Sequence, residues 1–220
     1  MKKKVFYLIL LFYCKTFSQG HFGIQLGGNN SSIISDDIST KLVGFDFSLA
    51  FNGYFTKKID FLVELGYSHK FLSDFTFKNF FYEEKNIGDY DVDQLYVNFI
   101  FDYYLIEPDK KKFNFSLTGG IGTTIINHWY SRENITFSDN ESFNIESIEN
   151  IKPYFIIGAT GGTEQIRISL RYERFLGNYI SEFSVYNSPD EFNFSEERFL
   201  FSKNNQYSLK ITYYFTKNLY

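Results

Sequence analysis

Residues 42 to 55 read LVGFDFSLAFNGYF, a strict alternation of two kinds of side chain. Val43, Phe45, Phe47, Leu49 and Phe51 are large and apolar, while Gly44, Asp46, Ser48, Ala50 and Asn52 between them are small or polar. A period of two over this length specifies a β-strand with two unlike faces. If the Phe face meets the interior, the chain is an ordinary soluble barrel or sandwich. If it points outward, the medium on that side must be hydrocarbon.

The pattern recurs along the chain, in HFGIQLGG (21–28), IDFLVELGYSH (59–69), LYVNFIFDYYL (95–105), FNFSLTGGIGTTII (113–126), PYFIIGAT (153–160), QIRISLRYER (165–174) and QYSLKITYYF (206–215). PYFIIGAT is the least clear, with apolar residues on both faces. That makes eight strands of about ten residues each, with no convincing helix after the first segment. The gaps after the second, fourth and sixth strands are short: TKK (56–58), IEPDKKK (106–112) and GGTE (161–164). The gaps after the first, third, fifth and seventh are long. Short turns at one end and long loops at the other predict an antiparallel up-and-down meander.

Volume and charge decide between the faces. Eight strands close around a lumen just wide enough to be filled by side chains. The bulky face offers about five large apolar side chains per strand, too many for that space, whereas the Gly, Ser, Ala, Thr and Asn of the other face fit. The small-residue face also carries Asp46, Glu64, Asp102, Arg167, Arg171, Glu173 and Lys210, and the bulky strand cores carry no charge. An apolar band outside and a polar lumen inside is the solution left, and only a closed barrel satisfies every backbone group in hydrocarbon. The expected fold is therefore all-β, an eight-stranded antiparallel up-and-down transmembrane β-barrel. Aromatic girdles fit the strand ends, with Tyr54, Phe55, Tyr103, Tyr104, Tyr213 and Phe215 at the short-turn rim and Tyr67, Phe71, Trp129 and Tyr130 at the other.

The first residues agree with export. Lys2, Lys3 and Lys4 precede the apolar run VFYLILLFYC, and Thr16-Phe17-Ser18 supplies small residues for cleavage after Ser18. Residues 1–18 read as a secretory signal peptide and 19–220 as the barrel domain. The cut falls after Ser18 or Gln19. The apolar run is too short to span a bilayer as a helix, and Tyr13 stands where a lipidated Cys14 would want a small residue. Cleavage removes that cysteine, so packing and hydrogen bonds alone must stabilise the mature chain. Cleavage also takes four of the 22 basic residues and none of the 26 acidic ones, leaving a net charge of −8. That balance excludes a nucleic-acid binder.

Chemical motifs are sparse. GGIGTT (119–124) and GATGG (158–162) lack the spacing and following helix of a nucleotide loop, and glycines in strands more often make room or allow curvature. His69 and His128 fall near the same rim, but two histidines without a placed carboxylate do not make a ligand set. No serine sits in a nucleophile elbow. The expectation is no enzyme, no metal and no cofactor. The lumen charges are the best constellation. They read as a salt-bridged plug, with a water or ion path as the alternative; Glu64, Asp102 and Glu173 are the candidate partners of Arg171. Segments 30–41, 72–93, 128–150 and 176–204 hold eighteen acidic against six basic residues and are rich in Phe. They read as strands continuing beyond the membrane or as a surface for a protein partner.

The signal segment, the eight strands and the stretches FGIQLGGN, FLVELGYSH, FSLTGGIG, ISLRYERFLG and YSLKITYYF together resemble the PorT-like family of outer-membrane β-barrel proteins of gram-negative bacteria. The resemblance covers nearly all of the mature chain through patterns of barrel architecture. It implies an outer-membrane location, lipid and the barrel-assembly machinery as partners, and for some members a part in protein secretion. Thr216 to Tyr220 extend past Phe215, a departure that leaves two candidates, Phe215 and Tyr220, for the terminal aromatic read during insertion. Three functions are in view: a structural or interaction barrel acting as a secretion accessory, a small channel, and a secreted lipocalin-like barrel for an apolar ligand.

Overall fold

The computed structural model describes residues 20–34, 39–78, 84–109, 112–131, 135–138, 141–143, 146–176, 179–185, 195–201 and 203–215. The segment 1–18 read as a signal peptide lies outside them. All regular structure among the described residues is strand: β1 (His21–Ile34), β2 (Ser39–Thr56), β3 (Ile59–Lys78), β4 (Glu84–Tyr104), β5 (Asn114–Ser131), β6 (Ile135–Ser138), β7 (Glu141–Phe143), β8 (Glu146–Gly162), β9 (Ile166–Phe175), β10 (Tyr179–Val185), β11 (Ser195–Phe201) and β12 (Lys203–Phe215). Eight of them close into one antiparallel barrel in the order β1-β12-β9-β8-β5-β4-β3-β2. The β6–β7 and β10–β11 pairs are separate two-stranded hairpins inside the two longest connections.

The register fixes the barrel's shape. Followed from strand to strand, Phe22 pairs with Phe51, Val63, Phe99, Ile121, Phe155, Arg174 and Asn205, and the path returns to β1 at Ser32, ten residues along. Eight strands with a stagger of ten residues tilt by roughly 40° to the axis.

Alternation places the faces as the sequence argument requires. Phe22, Ile24, Leu26, Phe45, Phe47, Leu49, Phe99, Phe101, Ile168, Leu170, Leu209 and Ile211 are exposed, and the residues between them are mostly buried. Thirty-four large apolar side chains are exposed among the described residues. That is far beyond the few hundred Å² of apolar patch that a water-soluble monomer carries. Outward-facing polar residues return at Asn30, His69, Asp93, Arg174 and Asn205. The apolar surface below them is a band about ten residues tall along each strand, roughly 25 Å at this tilt.

Several expectations are corrected. Every barrel strand but the ten-residue β9 is longer than ten residues, up to 21 in β4, because alternation weakens above the band while pairing continues. As a result β1 and β2 are separated only by 35–38, and β3 and β4 only by 79–83; most of the expected first and third loops is strand. Tyr104, expected in the girdle, is 4% exposed and points inward, and Tyr54 lies on the same inward face, because both fall on the even-numbered side of their strands. The side chains of Trp129 and Tyr130 lie outside the described residues. A register shift between Leu95 and Tyr96 opposes one step of β4 to two of β5. This leaves Ile125 and Ile126 both exposed and turns Asn127 inward, a change of face typical of a β-bulge.

Candidate functional site: the charged lumen

All seven lumen charges expected from the sequence are inward and buried, none more than 7% exposed. They fall into three tiers along the axis. The middle tier is the tightest. Arg171 of β9 meets Glu64 of β3 across the lumen in a two-pronged pair, Nη1 donating to Oε2 and Nη2 to Oε1, each at 2.8 Å, with both side chains wholly buried. The planar guanidinium matches the carboxylate fork, which makes this geometry both strong and directional. Asn98 Nδ2 donates to Glu64 Oε2 at 3.0 Å, and Tyr154 Oη donates to Asn98 Oδ1 at 2.6 Å. Lys210 of β12 stands 3.8 Å from Glu64 Oε2, donates to Tyr96 Oη at 3.2 Å and lies 4.7 Å from the centre of the Tyr96 ring.

Room for these rings comes from glycines directly opposite. Gly66 pairs with Tyr96 and Gly122 with Tyr154. A Cβ on Gly66 would run into the Tyr96 ring, and one on Gly122 into Tyr154 and Asn98. These glycines are needed for space, and the tyrosines cover the backbone they leave bare.

The tier toward the short turns centres on Arg167. Its Nη2 donates to Asp60 Oδ2 at 2.9 Å and its Nη1 stands 3.8 Å from Asp102 Oδ2. Tyr104 Oη also donates to Asp60 at 2.8 Å, and Thr118 Oγ1 donates to Asp102 Oδ1 at 2.6 Å. The guanidinium carbon lies 5.4 Å from the Tyr214 ring centre and 5.9 Å from that of Tyr104, within cation–π range. Below this tier, Glu164 of the β8–β9 turn reaches His21 Nε2 at 3.1 Å and accepts from Tyr54 Oη at 3.2 Å, crossing the barrel mouth.

The tier toward the long connections holds Asp46, Glu173 and Lys70. Lys70 Nζ donates to Gln206 Oε1 at 2.5 Å, and Gln206 Nε2 donates to Glu173 Oε2 at 3.0 Å. Asn29 Nδ2 donates to Asp46 Oδ1 at 2.9 Å and to Ser68 Oγ at 3.0 Å. Asp46, Glu173, Gln94 and Lys210 help line a cavity of roughly 10 Å³, room for about one water.

Asp60 and Lys70 belong to the network although the charge argument did not include them. Asp60 alternates in step with Glu64, Gly66 and Ser68 within 59–69, so alternation alone could have found it; Lys70 lies one residue past that stretch. Of the three candidates for Arg171, Glu64 is the partner. His69 and His128 lie on β3 and β5 on either side of Asp93, which pairs in register with both. His69 Nδ1 is 2.6 Å from Asp93 Oδ1, which also accepts from Tyr67 Oη at 2.5 Å. These groups face outward, away from the lumen. Among the described residues no group of three side chains is placed to hold a metal ion.

No protein-family model matches the chain, and no curated protein does. Solved structures do. The outer membrane protein OprG of Pseudomonas aeruginosa superposes with a TM-score of 0.53 at 14% identity, over 90% of this chain and 97% of that one. Neisserial surface protein A gives 0.48 at 11% identity over 88% and 97%, and Ail, the attachment invasion locus protein of Yersinia pestis, 0.46 at 13% over 90% and 99% in its complex with sucrose octasulfate. At these identities the OprG match speaks to fold alone, and what this chain shares with it is the closed antiparallel barrel.

Proposed function

We propose that the chain is an integral outer-membrane β-barrel, exported by its 1–18 segment, which works through its two rims while its lumen stays shut. The inversion of polarity carries this reading: exposed Phe, Leu and Ile outside, buried charge inside. The fold shared with an outer-membrane protein supports the location. In the lumen, an ion would have to displace Arg171 from Glu64 and also pass Arg167, Asp60 and Asp102. Breaking a buried pair costs about 3–5 kcal/mol, so the plug reading is favoured over the channel reading. An interior this polar and this full has no place for an apolar ligand, and we do not retain the lipocalin-like alternative.

On this reading lipid is the first partner and the barrel-assembly machinery inserts the chain. The acidic, Phe-rich segments of the long connections are the candidate surface for a protein partner. PorT-like membership and a secretion-accessory role rest on the residue patterns that suggested them. No catalytic residue is assigned.

The test is fractionation followed by electrophysiology. The mature chain is expected in outer membranes after carbonate extraction and, purified into planar bilayers, to pass little or no current. Recovery in a soluble fraction defeats the membrane reading; steady ohmic conductance defeats the plug and promotes the channel.

A further inference from the structure

The two ends of the barrel differ in charge. The long-connection segments are acidic, but two of the three short turns are basic and lie side by side. Lys57 and Lys58 join β2 to β3, and residues 105–113, LIEPDKKKF, join β4 to β5. Because β3 pairs with β4, these turns meet on the rim: Tyr104 N donates to Lys58 O at 2.9 Å and Lys58 Nζ to Leu105 O at 3.4 Å. The longer turn is held in shape by Asn114, whose Nδ2 donates to Asp109 O at 2.8 Å and Lys112 O at 3.0 Å while its Oδ1 accepts from Asp109 N at 2.9 Å. Lys57 Nζ lies 3.8 Å from Glu107 Oε1, and Lys112 Nζ lies 3.3 Å from Asp109 Oδ2. The sequence adds Lys110 and Lys111, so the two turns hold five lysines against two acids, a net charge of +3 in a chain of net −4.

The longer of these two turns also exposes apolar side chains beyond the barrel wall. Ile106 is 82% exposed and Phe113 is 71% exposed. Water gives no reason to keep Ile106 and Phe113 there among lysines. A layer that is anionic at its surface and apolar just beneath does: ammonium groups meet phosphates while lysine stems and neighbouring apolar residues sink into the acyl boundary. Free phosphate would account for the lysines but not for Ile106 and Phe113.

We propose that this patch binds the phosphate headgroups of anionic phospholipids in the leaflet at the short-turn rim. The proposal rests on the membrane reading above and names the lipid chemistry at one end of it. The third short turn, Thr163–Gln165, carries no lysine and spends Glu164 on His21 and Tyr54, so the headgroup contact is confined to the β2–β5 side.

The experiment inserts the purified barrel into phosphatidylcholine vesicles with and without phosphatidylglycerol, scores insertion by heat-modifiable gel mobility, and reads retained lipid by native mass spectrometry after gentle detergent release. Wild type should retain phosphatidylglycerol over phosphatidylcholine, and the preference should drop about fivefold for each lysine removed in Lys57→Gln, Lys58→Gln and Lys112→Gln. Lys41→Gln, exposed on β2 near the other end, should leave it unchanged. Failure to insert overturns both readings. Insertion with equal retention of the two lipids, or a preference that survives the triple variant, overturns this one alone. So does crosslinking in cells that joins the patch to an acidic protein in place of lipid.

Discussion

On β9, Ile168 and Leu170 face outward and Ser169 and Arg171 face inward, four consecutive residues under opposite rules. The outer residues need only be apolar and large enough to cover the band; a Leu in place of Ile168 would serve the same lipid. The inner ones need one particular neighbour. Both terminal nitrogens of Arg171 are paired because Glu64 arrives from β3 with both oxygens presented. The outer face therefore holds the fold in the membrane through composition, and the inner face holds one register through pairing. Stability lost on the outside is set by depth in the bilayer, and on the inside by which partner is left alone.

Removing Arg171 tests the inner rule hardest. Arg171→Ala leaves Glu64 only Asn98 and the longer 3.8 Å contact to Lys210, and should cost about 3–5 kcal/mol in unfolding free energy, less where water enters. Arg171→Met combined with Glu64→Gln should recover much of it, since what is costly is the unpaired charge. Urea titration of the refolded barrel reads both. If the double variant is no better than the single one, pairing is not what the inner face supplies.

The outer rule is tested one residue from a lumen position. Phe47→Arg faces an Arg toward the bilayer midplane, at about 2–4 kcal/mol, and should cut assembly sharply, while Phe47→Ala is tolerated. Ser48→Arg, its buried neighbour, should fail for a different reason, overpacking of the lumen. Assembled yield by gel mobility separates the cases, and equal tolerance of Arg and Ala at 47 would undo the outward assignment.

Smallest is the effect expected from space alone. Gly66→Ala pushes a methyl into the Tyr96 ring and should cost about 1–3 kcal/mol. A companion Tyr96→Phe does not relieve it, since the ring remains, whereas Tyr96→Leu does so in part. Thermal unfolding of the four proteins decides.

The same contrast explains what could be read from residues alone. Faces follow from a period of two, which needs no knowledge of neighbours, so the barrel, its eight strands and the inward placement of Asp46, Glu64, Asp102, Arg167, Arg171, Glu173 and Lys210 were legible. Neighbours depend on stagger, and a slip of two residues between strands leaves every side chain on its own face. For that reason the Glu64 partnership and the Gly66–Tyr96 and Gly122–Tyr154 pairs could not be foreseen. Lys70 and the upper halves of β1, β3 and β4 were missed because alternation fades once a strand leaves the apolar band and no longer has two different solvents. Ile126 escapes the alternation because a bulge resets the count without any sequence mark.

The closure of β1 on β12 also bears on time. Phe22 pairs with Phe215, so the contact that completes the wall joins the start of the folded chain to its end. Until β12 arrives, β1 and β9 each present a row of unpaired amides that any other extended chain can take up. Contacts of such long sequence separation form late and slowly. The barrel's most vulnerable state is then the nearly finished one, seven strands paired and one seam open, and the rate of sealing that seam sets how long the chain must be guarded from its own kind.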